Sequence, residues 1–332
     1  MTATPKLTVA VPTYSREKEV LALIADLQQL QELEDVAIVI VNDHGNPKTH
    51  ETVSAIAATS LRNCTILRNE ENLGIDKNID RCYSVAETDY VLVVGDDDRI
   101  DVPNAARLVN MLRARDLDLL IVEYSYIRPN GELLKQHVIG ALDVNKRDFV
   151  YHRATKLGFV GSVVFRAPKY RKMRDGSYLG TYFNHVGVAL SMLFDAECRV
   201  GFFDRPVVLN RAADMSIATW AAGAVDVIAG WWTMIERWCA ASGVMTFSEY
   251  KKRKTCVTFQ YNDLRWIFSR RADGILAFEH LPRFFAAFPL SSTEKGVYLL
   301  ASFVPRAVLR LAKEAYFSTL LPTRTKRAVG AT

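Results

Sequence analysis

Apolar runs alternate with amphipathic segments over the first 125 residues of the chain. The apolar runs are short and β-branched, which is typical of buried strands, and the segments between them place apolar residues at helical spacing. Strands are predicted at 7–11, 36–41, 64–67, 90–94 and 117–124, and helices at 19–33, 49–61, 76–86 and 103–115. Strands that alternate with helices of this length form βαβ units. The sequence therefore predicts an α/β fold with a mainly parallel sheet flanked by helices.

The pattern becomes less regular after about residue 128. Further strand and helix signals follow at 161–165, 182–194 and 207–209. From Trp220 onward the chain is rich in helix formers and aromatic residues. We therefore expect an α/β domain at 1–215, divided near residue 125, and a helical C-terminal region at 216–332.

The composition is that of a folded globular protein, since 49% of the 332 residues are hydrophobic and 24% are charged. No run of about 18 uncharged apolar residues occurs, so no transmembrane helix is predicted. The five cysteines include no CxxC pair, which disfavours a zinc ribbon or a disulfide framework. Such isolated thiols are typical of a reduced, cytoplasmic protein.

The charge is distributed unevenly along the chain. Residues 1–120 contain 12 basic and 20 acidic side chains, although the whole chain has a net charge of +5. The excess of positive charge therefore lies toward the C-terminus. It matches no nucleic-acid-binding motif, so nucleic acid is not an expected partner.

Polar residues follow three of the predicted strands, at 12–16, 42–45 and 95–98. Parallel sheets bind their ligands at the carboxyl ends of the strands, so a site is expected there. Asp96, Asp97 and Asp98 would repel one another unless a cation neutralised them. A divalent ion such as Mg²⁺ or Mn²⁺, shared with a diphosphate, meets this need. The alternative is a solvated acidic turn.

Four segments, in this order, resemble the motifs of one enzyme family. Residues 9–16 (V-A-V-P-T-Y-S-R) resemble V-x-I-P-T-Y-N-R, and residues 41–45 (V-N-D-H-G) resemble V-D-D-G-S. Residues 68–78 (R-N-E-E-N-L-G-I-D-K-N) resemble R-N-x-G-x-x-x-A-R-N, and residues 95–98 (G-D-D-D) resemble D-x-D-D. These are motifs of the family 2 glycosyltransferases, and the likeness is good over residues 6–125. The departures from the pattern are Asn42, His44, Lys77 and Gly95.

The resemblance implies a GT-A (Rossmann-like) fold, a nucleotide-sugar donor (UDP-, dTDP-, GDP- or CDP-linked) and Mn²⁺ or Mg²⁺ as cofactor. Residues 1–125 would form the nucleotide-sugar-binding half and 126–215 the acceptor-binding half. The implied donor contacts are Pro12, Thr13, Tyr14, Arg16, Asp43, Asn72, Gly74, Lys77, Asp96 and Arg211. Within this set, Asp43 would accept a hydrogen bond from the base, and Lys77 would lie near the nucleotide or its phosphates.

The metal would bind Asp97 first, assisted by Asp98 and Asp96, and neutralise the leaving diphosphate. Each motif also has a structural alternative: a strand end at Pro12, packing by Tyr14, or an ordinary turn at Asp43. Asn72 and Gly74 would likewise form only a turn, and Arg211 would lie in an ordinary surface loop.

The catalytic base is the weakest part of the likeness. Inverting members carry a Glu-Asp pair at the start of a helix, whereas residues 181–188 read T-Y-F-N-H-V-G-V and contain no carboxylate. His185 is a candidate base because imidazole suits proton transfer near neutral pH. It could equally be a core histidine or an acceptor-binding donor. Asp175 and Asp195 are other candidates, and a retaining enzyme would need no such base.

The C-terminal stretch at 298–317 mixes leucine, valine and aromatic residues with arginine and lysine, and more basic residues follow it. A basic amphipathic helix of this kind predicts contact with an anionic membrane surface. The alternatives are packing on the catalytic domain or a homodimer interface.

Together these features predict a metal-dependent glycosyltransferase of bacterial surface polysaccharide synthesis, such as O-antigen, lipopolysaccharide or exopolysaccharide. It would extend a glycan or lipid-linked acceptor at the cytoplasmic face of the inner membrane. The combination of G-D-D-D at 95–98 with a histidine in place of Glu-Asp resembles the O-antigen branch, which includes abequosyltransferases. The alternative is a catalytically silent nucleotide- or glycan-binding protein. A sugar nucleotidyltransferase is disfavoured, because the loop at 12–16 contains no glycine.

Overall fold

The computed structural model of the protein describes residues 5–33, 35–128, 130–136, 138–140, 145–211, 224–253 and 290–320, with positions 268, 271–272, 278, 281–282 and 285. Its strands are β1 (Leu7–Thr13), β2 (Val36–Asn42), β3 (Cys64–Arg68), β4 (Tyr90–Val93), β5 (Arg99–Ile100), β6 (Leu119–Ile127), β7 (Leu133–Lys135), β8 (Val163–Arg166) and β9 (Val200–Asn210). They form one sheet in the order β3-β2-β1-β4-β8-β6-β9-β5, and β7 pairs with β6.

The first half of this sheet is parallel, as the sequence predicts. β1 pairs in parallel with both β2 and β4, and β2 pairs in parallel with β3. The second half is mixed, because β8 runs antiparallel to both of its neighbours, β4 and β6. β6 then pairs in parallel with β9. The carboxyl ends of β1, β2, β4, β6 and β9 consequently lie along one edge of the sheet.

The helices of the α/β region are α1 (Glu17–Gln31), α2 (Pro47–Ser60), α3 (Ile75–Ser84), α4 (Val102–Ala114), α5 (Lys146–His152), α6 (Ala167–Met173) and α7 (Asn184–Phe194). Two short 3₁₀ helices lie at Ala154–Gly158 and Val160–Ser162. The predicted α/β fold with flanking helices is confirmed.

Helices cover both faces of the sheet. α1 packs against α2 and α4, whereas α3 packs against α6 and α7. The strands follow a period of two: Val9 and Val11 join the core beneath α1, while Ala10 is buried but lies outside that core. Strands buried on both faces read as continuous apolar runs, which explains the clarity of their sequence signal.

Helix starts carry the expected capping chemistry. The Asp101 side chain accepts a hydrogen bond from the backbone N–H of Asn104 at 2.9 Å, and a proline occupies the first turn of α4. Asn46 caps α2 in the same way, by accepting from the backbone N–H of Lys48 at 3.0 Å.

The chain forms two compact units. One comprises Met1–Ala218 and Met234–Cys256, and the other comprises Thr219–Thr233 and Val257–Thr332. The first unit thus contains a later segment in addition to the region at 1–215. One contact that holds this segment is an aromatic pair between Phe194 and Trp238, whose ring centroids lie 5.4 Å apart.

Within the described part of the chain, four further helices are α8 (Ala224–Ser242), α9 (Phe247–Arg253), α10 (Ser292–Phe303) and α11 (Arg306–Leu320). The stretch at 298–317 is therefore not one continuous helix. The break falls at Pro305, which has no backbone N–H to donate and cannot continue α10. None of the described helices is long and apolar enough to cross a bilayer.

Candidate active site

Two loops at the carboxyl edge of the sheet meet at one arginine. Arg16 lies just before α1, in the loop that leaves β1, and Asp96 and Asp97 lie in the turn that leaves β4. Arg16 Nη1 donates to Asp96 Oδ1 at 2.8 Å and to Asp97 Oδ2 at 2.8 Å. The polar strand ends identified in the sequence thus converge, and the positive charge between two of the carboxylates belongs to the protein itself.

The three aspartates differ in environment. Burial raises the pKa of Asp96 to about 6, against the opposing effect of Arg16. Burial and the neighbouring charge of Asp97 raise the pKa of Asp98 well above its usual value. The side chain of Asp97 is 29% exposed, compared with 7% for Asp96. Asp97 is therefore the more accessible carboxylate of this pair.

Gly95, at the position of the family's first aspartate, leaves room for the Asp98 side chain. A Cβ on this glycine would lie 2.7 Å from Asp98 Oδ2 and 3.1 Å from Asp97 Oδ1. The Asp98 carboxylate folds back over the glycine and occupies the space that a side chain would need.

Arg211 reaches the same turn through its main chain. Its backbone N–H donates to Asp98 Oδ1 at 3.3 Å, because β9 ends beside β5. Residues 212–223, which follow, lie outside the described part of the chain. The structure therefore brings Arg211 to the acidic turn.

Asp43 is the centre of a buried polar network at the end of β2. Its Oδ1 accepts hydrogen bonds from Asn69 Nδ2 at 2.7 Å and from the backbone N–H of Leu73 at 2.8 Å. Asn69 also donates to Asn78 Oδ1 at 3.0 Å, and Asn78 donates to the carbonyl of Val41 at 3.2 Å. Both asparagines belong to the R-N…N segment of the family pattern, a signal that could have identified them as supports of Asp43.

The loop after β3 contains a tight turn at Asn72 and Gly74. Asn72 Oδ1 accepts from the backbone N–H of Gly74 at 2.9 Å, and Gly74 has φ +78°, a conformation that favours glycine. α3 begins immediately afterwards, with Lys77 exposed in its first turn. Lys77 is thus available to a ligand at this edge of the sheet.

The loops after β1 and β2 are tied together. The backbone N–H of Asp43 donates to the carbonyl of Thr13 at 2.9 Å, and the backbone N–H of Asn46 donates to Ser15 Oγ at 3.0 Å. Thr13 is buried and Pro12 is half-buried, whereas Tyr14 is 53% exposed. Of the loop residues predicted to contact a nucleotide, Tyr14 has the most open side chain.

Ser15 and His44 both adopt left-handed backbone conformations, with φ of +54° and +56°. Gly45 follows His44, and a Cβ there would lie 2.8 Å from both Asn42 Oδ1 and Ser15 N. Asn42 itself accepts from the backbone N–H of Gly45 at 2.8 Å. Asn42 and His44, two of the residues that differ from the family pattern, therefore help to form the tight contact between the loops after β1 and β2.

His185 lies in the first turn of α7, but its ring is buried. Nε2 donates to the carbonyl of Leu157 at 3.0 Å, which leaves Nδ1 as the unprotonated nitrogen. Burial lowers the pKa of His185 to about 4, against the effect of that hydrogen bond. Nδ1 is enclosed and has no hydrogen-bond partner in the described part of the chain. This geometry favours a core histidine over a residue that meets substrate.

The two other base candidates are separated by the length of α7. Asp175 is exposed on the loop before the helix and accepts from the backbone N–H of Ser177 at 2.8 Å. Asp195 caps the far end, where its Oδ2 lies 3.5 Å from Lys169 Nζ. That end leads into β9 at its amino end, so Asp195 lies away from the carboxyl edge of the sheet.

Asp76 is a functional candidate that the sequence reasoning missed. Its Oδ2 accepts from the backbone N–H groups of Gly180, Thr181 and Tyr182 at 2.7, 3.1 and 3.2 Å. This buried carboxylate in the first turn of α3 therefore holds the turn that precedes α7. Tyr182, in that turn, has φ +66°. No local signal separated Asp76 from other helical acids, since its partners lie about 100 residues away.

The metal expectation can be tested against these contacts. Among the described histidine, cysteine and acidic residues, no group of three is arranged to hold a metal ion. Asp96 and Asp97 nevertheless present oxygen atoms on either side of one positive charge, that of Arg16. Oxygen donors around a cation match the preference of Mg²⁺ and Mn²⁺, so the donor set fits a divalent ion once the guanidinium moves away.

Known proteins resemble this chain in sequence. Abequosyltransferase RfbV of Salmonella typhimurium is 23% identical over 225 residues, which cover 62% of this chain and 66% of the relative. The protein MT1568 of Mycobacterium tuberculosis is 31% identical over 109 residues, or 32% of each chain. The chain thus matches less than two thirds of the length of these curated relatives. The expected likeness to the abequosyltransferase branch is confirmed.

Solved structures share the fold. Residues 1–349 of S. aureus TarS, in complex with UDP-GlcNAc, match with a TM-score of 0.56 and 15% identity over 93% of this chain and 92% of that chain. Mannosyltransferase PcManGT of Pyrobaculum calidifontis, in complex with GDP-Man and Mn²⁺, matches with a TM-score of 0.52 and 16% identity over 98% and 83%. These likenesses confirm a GT-A-like fold.

The family profile described as Glycosyl transferase family 2 matches residues 8–178, just over half of the chain. The match includes all four motifs and the loops that meet around Arg16. This chain therefore belongs to glycosyl transferase family 2.

Proposed function

We propose that the protein transfers a sugar from a nucleotide-sugar donor to a glycan or lipid-linked acceptor during synthesis of a bacterial surface polysaccharide. The observation that carries the proposal is the meeting of the acidic turn after β4 with Arg16, beside the Asp43 network at the neighbouring strand end. Such an edge, with anionic and cationic groups within a few ångströms, suits a nucleoside diphosphate and the charge that develops when it leaves.

The donor's base and phosphates would occupy different parts of this edge. Asp43 would accept a hydrogen bond from the base, since its position is fixed by Asn69 and Leu73. Lys77 and Arg211 would bind the phosphates, and Tyr14 would pack on the nucleoside. The ligands bound to the structural relatives, UDP-GlcNAc in TarS and GDP-Man in PcManGT, support a nucleotide sugar as the class of donor.

We propose that a divalent ion binds Asp97 first, with Asp98 and Asp96 assisting, since Asp97 is more exposed than Asp96. When bound, Mn²⁺ or Mg²⁺ would supply positive charge to the leaving diphosphate. The Mn²⁺ in the PcManGT complex supports this assignment. Asp98 would orient the turn, because it accepts from the Arg211 main chain and packs over Gly95.

The acceptor would bind on the side of α7. The turn held by Asp76 stands between the donor-side helix α3 and α7, so it would form the wall between the two substrates. We propose a positioning role for His185, which ties the first turn of α7 to the carbonyl of Leu157. Asp175, exposed on the loop between α6 and α7, remains the candidate carboxylate for an acceptor hydroxyl.

Peripheral contact with an anionic membrane is part of the proposal. Leu300 and Phe303 on α10 and Val308 and Leu311 on α11 are 71%, 68%, 53% and 67% exposed. Arg310 is exposed within the same stretch. Apolar side chains beside cations suit an anionic bilayer surface, at the cytoplasmic face where a lipid-linked acceptor would be met. A homodimer interface on this face is the alternative.

Sedimentation with vesicles tests the membrane contact. Leu300→Glu and Leu311→Glu should reduce binding to vesicles rich in phosphatidylglycerol, while Leu133→Glu, at an exposed leucine of the α/β unit, should leave it unchanged. Equal binding by all variants would contradict the assignment. Loss of a dimer in solution would favour the alternative.

Nucleotide-dependent stabilisation tests the function itself. UDP, dTDP, GDP and CDP would each be added with Mn²⁺ or with EDTA, and the unfolding midpoint measured. A nucleotide at 100 times its Kd stabilises the fold by about 2.7 kcal/mol. We expect one nucleotide to stabilise only with Mn²⁺. Stabilisation by none would remove the proposed site, and stabilisation without any donor hydrolysis would favour the silent binding protein.

A further inference from the structure

The position of Arg16 has a consequence for how the proposed site takes up its cation. One nitrogen, Nη1, donates to both Asp96 and Asp97, at 2.8 Å each. The guanidinium thus stands between the two carboxylates at the position where a positive charge is most strongly attracted. A divalent ion shared by these carboxylates would have to displace it.

The ion pair between Arg16 and Asp96 is largely buried, so its attraction is strong enough to oppose metal binding. The side chain of Arg16 is 20% exposed and that of Asp96 7% exposed, so water screens the pair only weakly. Desolvated carboxylates left without a cation are costly. The exchange of Arg16 for another cation is therefore a competition between two positive charges, and the protein's own charge opposes the incoming one.

Once displaced from the carboxylates, the Arg16 guanidinium could bind the phosphates of the nucleotide. It lies at the start of α1, on the loop that carries the exposed Tyr14 and the left-handed Ser15. A guanidinium binds phosphate oxygens through its planar fork as well as it binds carboxylates. A diphosphate arriving at this edge would accept the guanidinium while the carboxylates accept the metal ion.

We propose that Arg16 is an internal counter-cation that suppresses metal binding until a nucleoside diphosphate arrives, so that cation and nucleotide bind cooperatively. This inference rests on the proposed function and adds to it that the metal ion binds well only together with the nucleotide. Because linkage is reciprocal, the nucleotide should raise affinity for the cation by the same factor by which the cation raises affinity for the nucleotide. Couplings of this kind are typically about 5- to 150-fold.

Mn²⁺ binding to the full-length protein without nucleotide is the direct test, read from the EPR signal of the free ion. Arg16→Met removes the charge and keeps much of the side-chain length, and should lower the Kd for Mn²⁺ by about tenfold or more. Arg16→Lys keeps the charge and should stay close to wild type. Arg113→Met removes a cation that pairs with Asp35 on the surface and serves as the control. An unchanged or weaker affinity in Arg16→Met would overturn the proposal.

A second measurement uses the wild-type protein and does not depend on how well the variant folds. Titration with Mg²⁺ and UDP, GDP, dTDP or CDP should release Arg16, and its Nε–Hε NMR resonance should shift and exchange faster with water. A resonance that stays fixed while nucleotide and Mg²⁺ bind would contradict the proposal alone. If no nucleotide brings Mn²⁺ or Mg²⁺ to the wild-type protein, both this inference and the proposed function fail.

Discussion

The carboxylate of Asp98 covers Gly95 so closely that a Cβ on the glycine would come within 2.7 Å of Asp98 Oδ2. This arrangement of Asp98 depends on a glycine at the position where the family pattern has its first aspartate. It also fixes the direction of Asp98, whose other oxygen accepts from the Arg211 backbone at 3.3 Å. The turn after β4 is therefore organised by packing as well as by charge.

Gly95→Ala should destabilise the protein by about 1–3 kcal/mol, because the new methyl group displaces a buried carboxylate. Gly95→Asp, which restores the family residue, should destabilise it at least as much and weaken nucleotide binding. Urea denaturation measures the first effect. Gly296→Ala is the control, since among the described residues no atom outside its own helix lies within 4 Å of its Cβ position, and alanine within α10 should leave stability unchanged or raise it. Equal stability of Gly95→Asp and wild type would show that the turn is not packed as described.

Asp43→Asn should weaken nucleotide binding by about 10- to 100-fold, because a hydrogen bond to a charged group contributes about 1.5–3 kcal/mol. Isothermal titration with the stabilising nucleotide measures this. Asn69→Ala is the matched variant: it removes a partner of Asp43 but keeps the carboxylate. Its loss of affinity should be clearly smaller. Equal losses in both variants would indicate that Asp43 only supports the fold.

Asp76→Asn should loosen the turn before α7, since the carboxylate accepts from three successive backbone N–H groups. We expect a loss of about 1–3 kcal/mol in stability and faster hydrogen exchange at Gly180 and Thr181. Asp195→Asn, at the other end of α7, should leave those amides protected. Unchanged exchange in Asp76→Asn would refute the conclusion that this carboxylate holds the turn before α7.

The buried His185 should make stability depend on pH. Its pKa is lowered from 6.5 to about 4, so between these values the unfolded chain binds a proton that the folded protein does not. Stability from this group is therefore complete above pH 6.5 and falls as the pH drops toward 4, by about 1.4 kcal/mol per unit. Asp96, whose pKa is raised to about 6, contributes with the opposite sign in this range.

His185→Gln separates the two contributions. Relative to wild type, the variant should lose less stability between pH 6.5 and 4, as measured by urea denaturation at each pH. Donor turnover in His185→Gln should remain within about tenfold of wild type if the ring only positions α7. A loss of 100-fold or more, the range typical of a general base, would restore the base assignment.

The parallel half of the fold could be predicted because its inner strands β1, β2 and β4 are almost wholly buried and read as apolar runs, although β3 at the sheet edge is only partly buried. Val36–Asn42 illustrates this, with six of its seven residues buried. The mixed half could not, because β8 is only four residues long and its antiparallel direction depends on pairing with β4 and β6. The position of Pro305 was visible in the sequence, yet the apolar pattern around it favoured one continuous helix.

The candidate site also has a part that could be predicted from the sequence and a part that could not. The sequence placed the polar residues at the strand ends, since the ends of parallel strands meet at one edge. It could not show that Arg16 stands between Asp96 and Asp97, because 80 residues separate the partners. The burial of His185 was equally hidden, since its partner Leu157 lies in a 3₁₀ helix 28 residues away. The positions of Arg16 and His185 both depend on contacts between segments that are distant in the sequence.

In the proposed reaction, the acidic turn after β4 acts on a leaving nucleoside diphosphate. The most direct measurement is the release of nucleoside diphosphate from UDP-, dTDP-, GDP- and CDP-sugars with Mn²⁺, by wild type, Asp97→Asn and the control Glu132→Gln. We predict that wild type and Glu132→Gln consume one class of donor and that Asp97→Asn is slower by at least about 100-fold with its fold intact. Equal turnover by Asp97→Asn and wild type would show that the acidic turn takes no part in releasing the nucleoside diphosphate.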